Sequence, residues 1–595
     1  MATETILSPG VLLQETDNTL VFPGIDPSGM AIIGPTARGP VEIPTQVTNY
    51  QQFKRIFGTT IRSGSQAYEL FTNLSVKNYF NNGGSSALIV RVVSGSTSWG
   101  AASNTHISSS DALTGVNTQP FTLETLGKGA DFNSSAGTDG TDLVETQNAN
   151  GSLVNGTKDN LRFEVSNINN AAGTFTLIIR RGDDTRSNPI VLESFTNVSL
   201  DPLSTNYIAR AVGDQVQSVN TDGDAIDVEG EFPNNSEFVR VKAVNLPTYK
   251  YLNNDGSVGT DAASISYSAS LPIALSGSFF GGTGNNYPAT TFGRYGSSSG
   301  AEADAEGTIQ GLQTSDYTTA ITLLKNKEEF KFKTLVVPGL NKSNHGTTLD
   351  SIIENTEVRG DNIFVLDLVP YGSTRTTVKN NAESLDTSFA AAYWPWAQVR
   401  SSGLNKNVWA PASTIIPGVY AQNDSLAAPW FAPAGLTRGG LRNVPKVETK
   451  LSKEQRDELY TSKVNPLATF PGQGVVVFGQ KTLQQATSAL DRVNVRRLLL
   501  DVKDTINGFA QNIVFEQNTD ATRSRFIRRA TPYLESLVQR QGLFAFQVKM
   551  DGQLNTSEVI DENKLVGQVF LQPTRTAEFI VLDFTLTPTG ASFED

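Results

Sequence analysis

The chain has 595 residues, 18% of them charged and 38% hydrophobic, with a formal net charge of −12, 51 glycines, two histidines and no cysteine. That length exceeds what one core can serve, so several domains are expected, and an acidic balance gives no long-range attraction to nucleic acid. The absence of cysteine excludes disulfides and thiolate metal sites, and no apolar run reaches membrane-spanning length.

The N-terminus lacks a basic-then-apolar leader pattern, so a protein made in a reducing cytoplasm is expected. In residues 1–24, a short strand-like piece, Val11, Leu12, Leu13, Gln14 and Glu15, lies between turn formers with no partner nearby. It reads as a frayed terminus or as an arm that adds a strand to another subunit's sheet. Residues 25–93 read as compact. Ala31–Gly34 is a strand ended by Pro35. Tyr50, Phe53, Ile56 and Phe57 form a short helix stopped by Gly58. Ala67, Leu70, Phe71 and Leu74 give a second helix stripe, and Ala87–Val93 is a continuous apolar strand, buried on both faces.

Composition shifts at Ser94. Residues 94–305 are rich in Gly, Ser, Thr, Asn and Asp, with short strands over Leu161–Val165, Thr174–Arg180 and Phe238–Val244 and almost no helix signal. This predicts one or two β-rich insertions. Gly281-Gly282-Thr283-Gly284 lacks the Lys-Ser/Thr of a phosphate loop and reads as a turn. His106 and His345 each sit in polar surroundings and are expected as exposed loop residues rather than ligands.

Order returns at residues 306–460. A strand over Thr334–Val337, stopped by Pro338-Gly339, precedes a helix over Thr348–Asn355 and a strand over Ile363–Val369, which implies a parallel crossover. Asp367 falls near a strand's carboxyl end, where open sheets place ligand sites. With no glycine-rich turn and no histidine nearby, a structural role is favoured. Tyr393, Trp394, Trp396, Trp409, Tyr420, Trp430 and Phe431 cluster in residues 388–436. They read as a sugar-binding platform or as a packed core under turn-rich backbone.

In residues 461–595, Gly474–Phe478 is a buried strand. Asn494 is the expected N-cap of a helix whose stripe is Val495, Leu498, Leu499, Val502, Ile506, Phe509 and Ile513, with Arg496 and Arg497 off that stripe. A second helix starts at Asn518–Arg523. Pro532 either kinks it or opens a third. Arg523, Arg525, Arg528 and Arg529 project from it as a basic set, facing a partner or simply solvated. Strands over Leu543–Met550, Leu565–Leu571 and Phe579–Thr587 follow.

Several motifs resemble the contractile tail sheath proteins of myovirus-type bacteriophages. They are Gly34-Pro35-Thr36 with Arg38-Gly39-Pro40, Tyr393-Trp394-Pro395-Trp396, Pro417-Gly418-Val419-Tyr420-Ala421, Asn465-Pro466, Phe470-Pro471-Gly472-Gln473-Gly474-Val475-Val476-Val477, and Asn494-Val495-Arg496-Arg497-Leu498. The resemblance covers about residues 5–93 and 306–595. It implies a mixed α/β assembly core with extended terminal arms; with the β-rich insertions read from composition in the middle, the chain is expected to be α+β and multidomain. It implies arms at Val11–Glu15 and at Phe579, Ile580, Val581, Leu582, Phe584 and Leu586 that pair with neighbouring subunits. It further implies self-association as stacked hexameric rings in a helical polymer. The partners are a tail tube protein, baseplate and tail terminator proteins, with no nucleic acid and no direct membrane contact. The implied place is the virion tail, assembled in the host cytoplasm. The implied work is mechanical, without a cofactor, metal or catalytic residues. The sheath contracts and drives the tube through the host envelope. A carbohydrate-binding or carbohydrate-cleaving phage protein, and the sheath of a related contractile injection system, are the alternatives.

Overall fold

The structure, a computed structural model, describes residues 28–63, 66–93, 102–105, 107, 119–129, 148–248, 271–282, 308–310 and 312–578. Val11–Glu15, His106 and Phe579–Leu586 lie outside them.

Apolar runs from both ends of the chain build one eight-stranded sheet. Its strands are β1 (Ser28–Gly34), β2 (Thr45–Val47), β3 (Ala87–Arg91), β4 (Phe332–Asn341), β5 (Ile363–Asp367), β6 (Ala390–Trp394), β7 (Val464–Phe470) and β8 (Gly474–Val477), in the order β2-β3-β1-β4-β5-β6-β7-β8. The six strands from β3 to β7 are parallel, and β2 and β8 close the edges antiparallel. Side-chain alternation divides the strands between two cores. Met30, Ile32, Ile89, Val336, Val365 and Tyr393 face helices α1 (Tyr50–Phe57), α2 (Phe71–Asn81) and α4 (Ile416–Leu426). Ala31, Ile33, Val90, Leu335, Phe364 and Trp394 face α3 (Gly346–Arg359). Burial on both faces is why these strands read as continuous apolar runs. The sheet also runs past residue 460, so β7 and β8 share it with the middle segment rather than standing in a separate C-terminal unit.

Local rules explain α1. The Asn49 side chain accepts from the Gln52 amide at 2.8 Å, and Gly58 takes the left-handed φ of 72° that ends the helix. Elsewhere tertiary contacts shift the expected boundaries. Residues Gln66–Glu69 form a strand against Thr60–Ser63, and α2 starts only at Phe71, whose amide donates to the Gln310 side chain at 3.2 Å. β4 passes through Pro338, because a bulge between Val336 and Asn341 leaves that position outside the ladder. His345 is buried rather than exposed. It precedes α3, and its Nδ1 accepts from the Asn341 amide at 3.2 Å. Burial brings the ring down to about 4, which keeps it neutral.

The described part of the insertion is β-rich. A four-stranded sheet runs Val191–Ser199, Thr174–Arg181, Leu161–Asn169, Leu275–Ser278, and a three-stranded sheet runs Val239–Val244, Phe121–Lys128, Ala102–Asn104. Their inner faces share a core of Phe121, Leu123, Phe163, Phe175, Leu177 and Ile179.

Candidate assembly surface

The C-terminal region is built on helix α5 (Lys453–Thr461) and two long helices, α6 (Val493–Gln511) and α7 (Asp520–Gln539). Strands β9 (Leu543–Lys549) and β10 (Gln568–Pro573) follow as an antiparallel pair. Leu498, Val502, Leu534, Leu537 and Leu543 pack around Trp430, and Phe526, Ala530 and Met550 form a smaller cluster beside Ile506 and Phe509. Trp430 joins the region to the middle segment. Its indole N–H donates to the Arg540 carbonyl at 3.1 Å, and the Arg540 guanidinium lies 4.6 Å from its ring centre.

The first turn of α6 departs from its expected pattern. Asn494 is not the cap. It is buried one residue into the helix, donating to the Trp430 carbonyl at 3.1 Å. Arg496 and Arg497 are buried rather than on a free face. Arg496 donates to the Ser388 carbonyl at 3.2 Å and stacks 3.9 Å from the Phe389 ring centre. Burial lowers its guanidinium to about 10. Arg497 lies 2.5 Å from Asp424 and 4.6 Å from the Tyr420 ring centre. Packing on every side of this turn overrides the one-sided stripe read from sequence.

The four arginines of α7 do not form one set. Arg523 is 6% exposed, and it donates to Asn518 Oδ1 at 2.9 Å and Asp520 Oδ1 at 3.0 Å, tying down the helix's own start. Arg525 is exposed and 2.9 Å from Glu516. Arg528 and Arg529 are exposed. At about 100° per residue these three share a face that Arg523 does not.

The aromatic cluster is core. Tyr393, Trp394, Trp396, Tyr420 and Trp430 are buried, and Trp409 and Phe431 are half-buried against them. A sugar platform needs exposed rings, so this correction removes the support for the carbohydrate reading. Asp367 is also internal, accepting from the Ser413 amide at 3.1 Å and the Ser413 hydroxyl at 2.5 Å. Among the described residues no cluster of His, Asp and Glu could hold a metal, and no helix is long and apolar enough to cross a membrane.

What remains open is β9–β10. Phe546, Val548, Val569 and Leu571 cover the helices, while Phe570 on the other row and Phe544, at an irregularity in the pairing between Leu543 and Ala545, are 49% and 78% exposed. Among the described residues neither outer edge of this pair meets another strand. Unpaired backbone beside exposed aromatics is a template for a further strand.

The described residues thus hold a large mixed sheet, a helical pair and a two-stranded sheet whose outer edges meet no other described strand. Residues 310–483 match the phage tail sheath protein central domain, and residues 485–587 match the phage tail sheath C-terminal domain. Both segments are thus similar to domains of phage tail sheath proteins. The chain is 37% identical over 191 residues to the tail sheath protein of Vibrio phage KVP40, covering 32% of this chain and 28% of that protein. It is 36% identical over 189 residues to the tail sheath protein of Enterobacteria phage T4, covering 32% and 29%. The chain thus spans less than a third of the length of these curated relatives. A sheath tail protein from Listeria innocua shares the fold with a TM-score of 0.51 at 10% identity, over 92% of this chain and 96% of that one.

Proposed function

We propose that the chain is the structural subunit of a contractile tail sheath. It polymerises as stacked hexameric rings around a tail tube and contracts to drive the tube through the host envelope. Residues 1–24 and 579–595 serve as arms, with Val11–Glu15 and Phe579–Leu586 as their pairing strands. Residues 94–305 lie on the outside of the assembly. Baseplate and terminator proteins bound the polymer at its ends. The observation that supports this reading is that, among the described residues, no strand pairs with either outer edge of β9–β10, which lies within a matched sheath domain. Head-to-tail strand exchange of this kind propagates a filament rather than closing a dimer.

Electron microscopy of the purified chain tests this, with and without residues 1–24 and with and without 579–595. Tubes or stacked rings that vanish when either segment is removed are expected. Dispersed monomers from the full chain would sink the reading. The exposed face of Arg525, Arg528 and Arg529 is assigned to an acidic tube surface, where individually weak ion pairs permit release. Arg528→Glu with Arg529→Glu should block assembly on the tube and spare self-assembly.

A further inference from the structure

The described chain ends on an unusual knot. Glu578, its side chain 18% exposed, receives four hydrogen bonds. Arg492 donates from Nε to Oε1 at 2.8 Å and from Nη2 to Oε2 at 2.9 Å. The Tyr460 hydroxyl donates to Oε2 at 2.8 Å, and Gln480 Nε2 donates to Oε1 at 2.9 Å. The same Gln480 amide reaches Thr576 Oγ1 at 2.7 Å.

These donors lie between 86 and 118 positions before Glu578 in sequence, at three different places. Arg492 immediately precedes α6, Tyr460 lies in α5, and Gln480 follows β8. Two of these places are themselves braced. Arg492 lies 2.9 Å from Asp491. Next to Gln480, the Lys481 amide donates to Asn465 Oδ1 at 2.6 Å. Asn465 of β7 donates in turn to the carbonyls of Lys481 at 2.7 Å and Ala392 at 3.1 Å. A lone surface pair contributes about 0–1 kcal/mol. A mostly shielded carboxylate held by a guanidinium fork and two further donors is a different object. Burial alone would push the Glu578 carboxyl up, and the hydrogen bonds from Arg492, Gln480 and Tyr460 outweigh it and hold it below its ordinary value.

We propose that Glu578 is an anchor that fixes the root of the C-terminal segment to the eight-stranded sheet. Load applied to the chain past residue 578 then enters the subunit through β7 and α6 rather than through β10. This role in assembly rests on the sheath reading; the anchor itself does not.

The test is amide exchange at residues 574–578 in the full chain and in Glu578→Gln, Glu578→Ala, Arg492→Ala and the Ala/Ala double variant. Glu578→Ala should speed exchange there about tenfold, with Glu578→Gln between it and the parent, while residues 464–477 stay protected. The double variant should exchange no faster than the faster single one, because both remove one shared interaction. Unchanged exchange at 574–578, or additive effects, would overturn the anchor. Polymers of the parent that remain equally ordered in Glu578→Ala would overturn the load path. A parent chain that forms no polymer counts against the sheath reading, and the anchor is still decided by exchange.

Discussion

Asp367 is 4% exposed, and its charge is met only by hydrogen bonds, chiefly from Ser413. Burial pushes its carboxyl from 3.8 up to about 6 against that pull. The folded-state value lies above the unfolded one, so the unfolded chain gives up its proton first as pH rises. The group's contribution to stability is fully present below about pH 4 and is lost as pH rises through 6. The whole shift corresponds to roughly 3 kcal/mol at neutral pH. Asp367→Asn keeps the shape, accepts from the Ser413 amide and donates to its hydroxyl. It should raise stability at pH 7.5 by up to about 3 kcal/mol and change little near pH 4. Denaturant unfolding at the two values reads this, and a loss at pH 7.5 would show that the charged carboxylate is needed.

At the scale of elements, α7 continues through Pro532, which settles the choice between one helix and two. The ring removes the amide that would reach the Arg528 carbonyl and crowds the preceding turn. Pro532 is exposed, so replacing it forfeits no core contact. Pro532→Ala should therefore stabilise the helix by about 1–3 kcal/mol, seen as slower amide exchange over Phe526–Leu537. Unchanged or faster exchange would mean that Pro532 does not limit the stability of α7. Elements of this kind were legible where local rules decide them. β3 reads directly as a doubly buried strand, and α1 as a short helix ending in glycine. Boundaries set at long range were not. The start of α2 depends on Gln310, a residue 239 positions away, and β4 crosses Pro338 only because β5 permits a bulge. The candidate surface was half legible. β9 was expected as a strand, but alternation would put Phe544 on the same row as Phe546, and only the irregular pairing between Leu543 and Ala545 accompanies its exposure. Nothing local couples Glu578 to Tyr460, Gln480 and Arg492, which meet only through the fold.

For the whole molecule, the question is whether the β-rich insertion moves with the sheet or independently of it. Arg38, buried beside β1, answers this through carbonyls. Its Nη1 donates to the Lys158 and Asp159 carbonyls at 3.1 Å each, and its Nη2 donates to the Arg55 carbonyl at 2.6 Å. One guanidinium thus ties the insertion to the end of α1. Lys158 adds a bond to Thr60 at 3.2 Å, and Arg55 lies 2.5 Å from Glu237. The two kinds of tie differ in strength. The Arg55 pair is half exposed, and a screened pair of that sort contributes about 0–1 kcal/mol. Hydrogen bonds from a buried charge contribute about 1.5–3 kcal/mol, and their loss also strands the carbonyls. Arg38→Ala should therefore loosen the joint where Arg55→Ala does not. Limited proteolysis should cut Arg38→Ala between the insertion and the sheet at least tenfold faster than the parent, while Arg55→Ala stays within about twofold. Equal rates in all three proteins would mean that the remaining contacts suffice, and that Arg38 only fills its site. The expected outcome makes the insertion and the middle sheet one rigid body. In the proposed polymer, any rotation of the subunit would then sweep residues 148–248 through the same angle as β1.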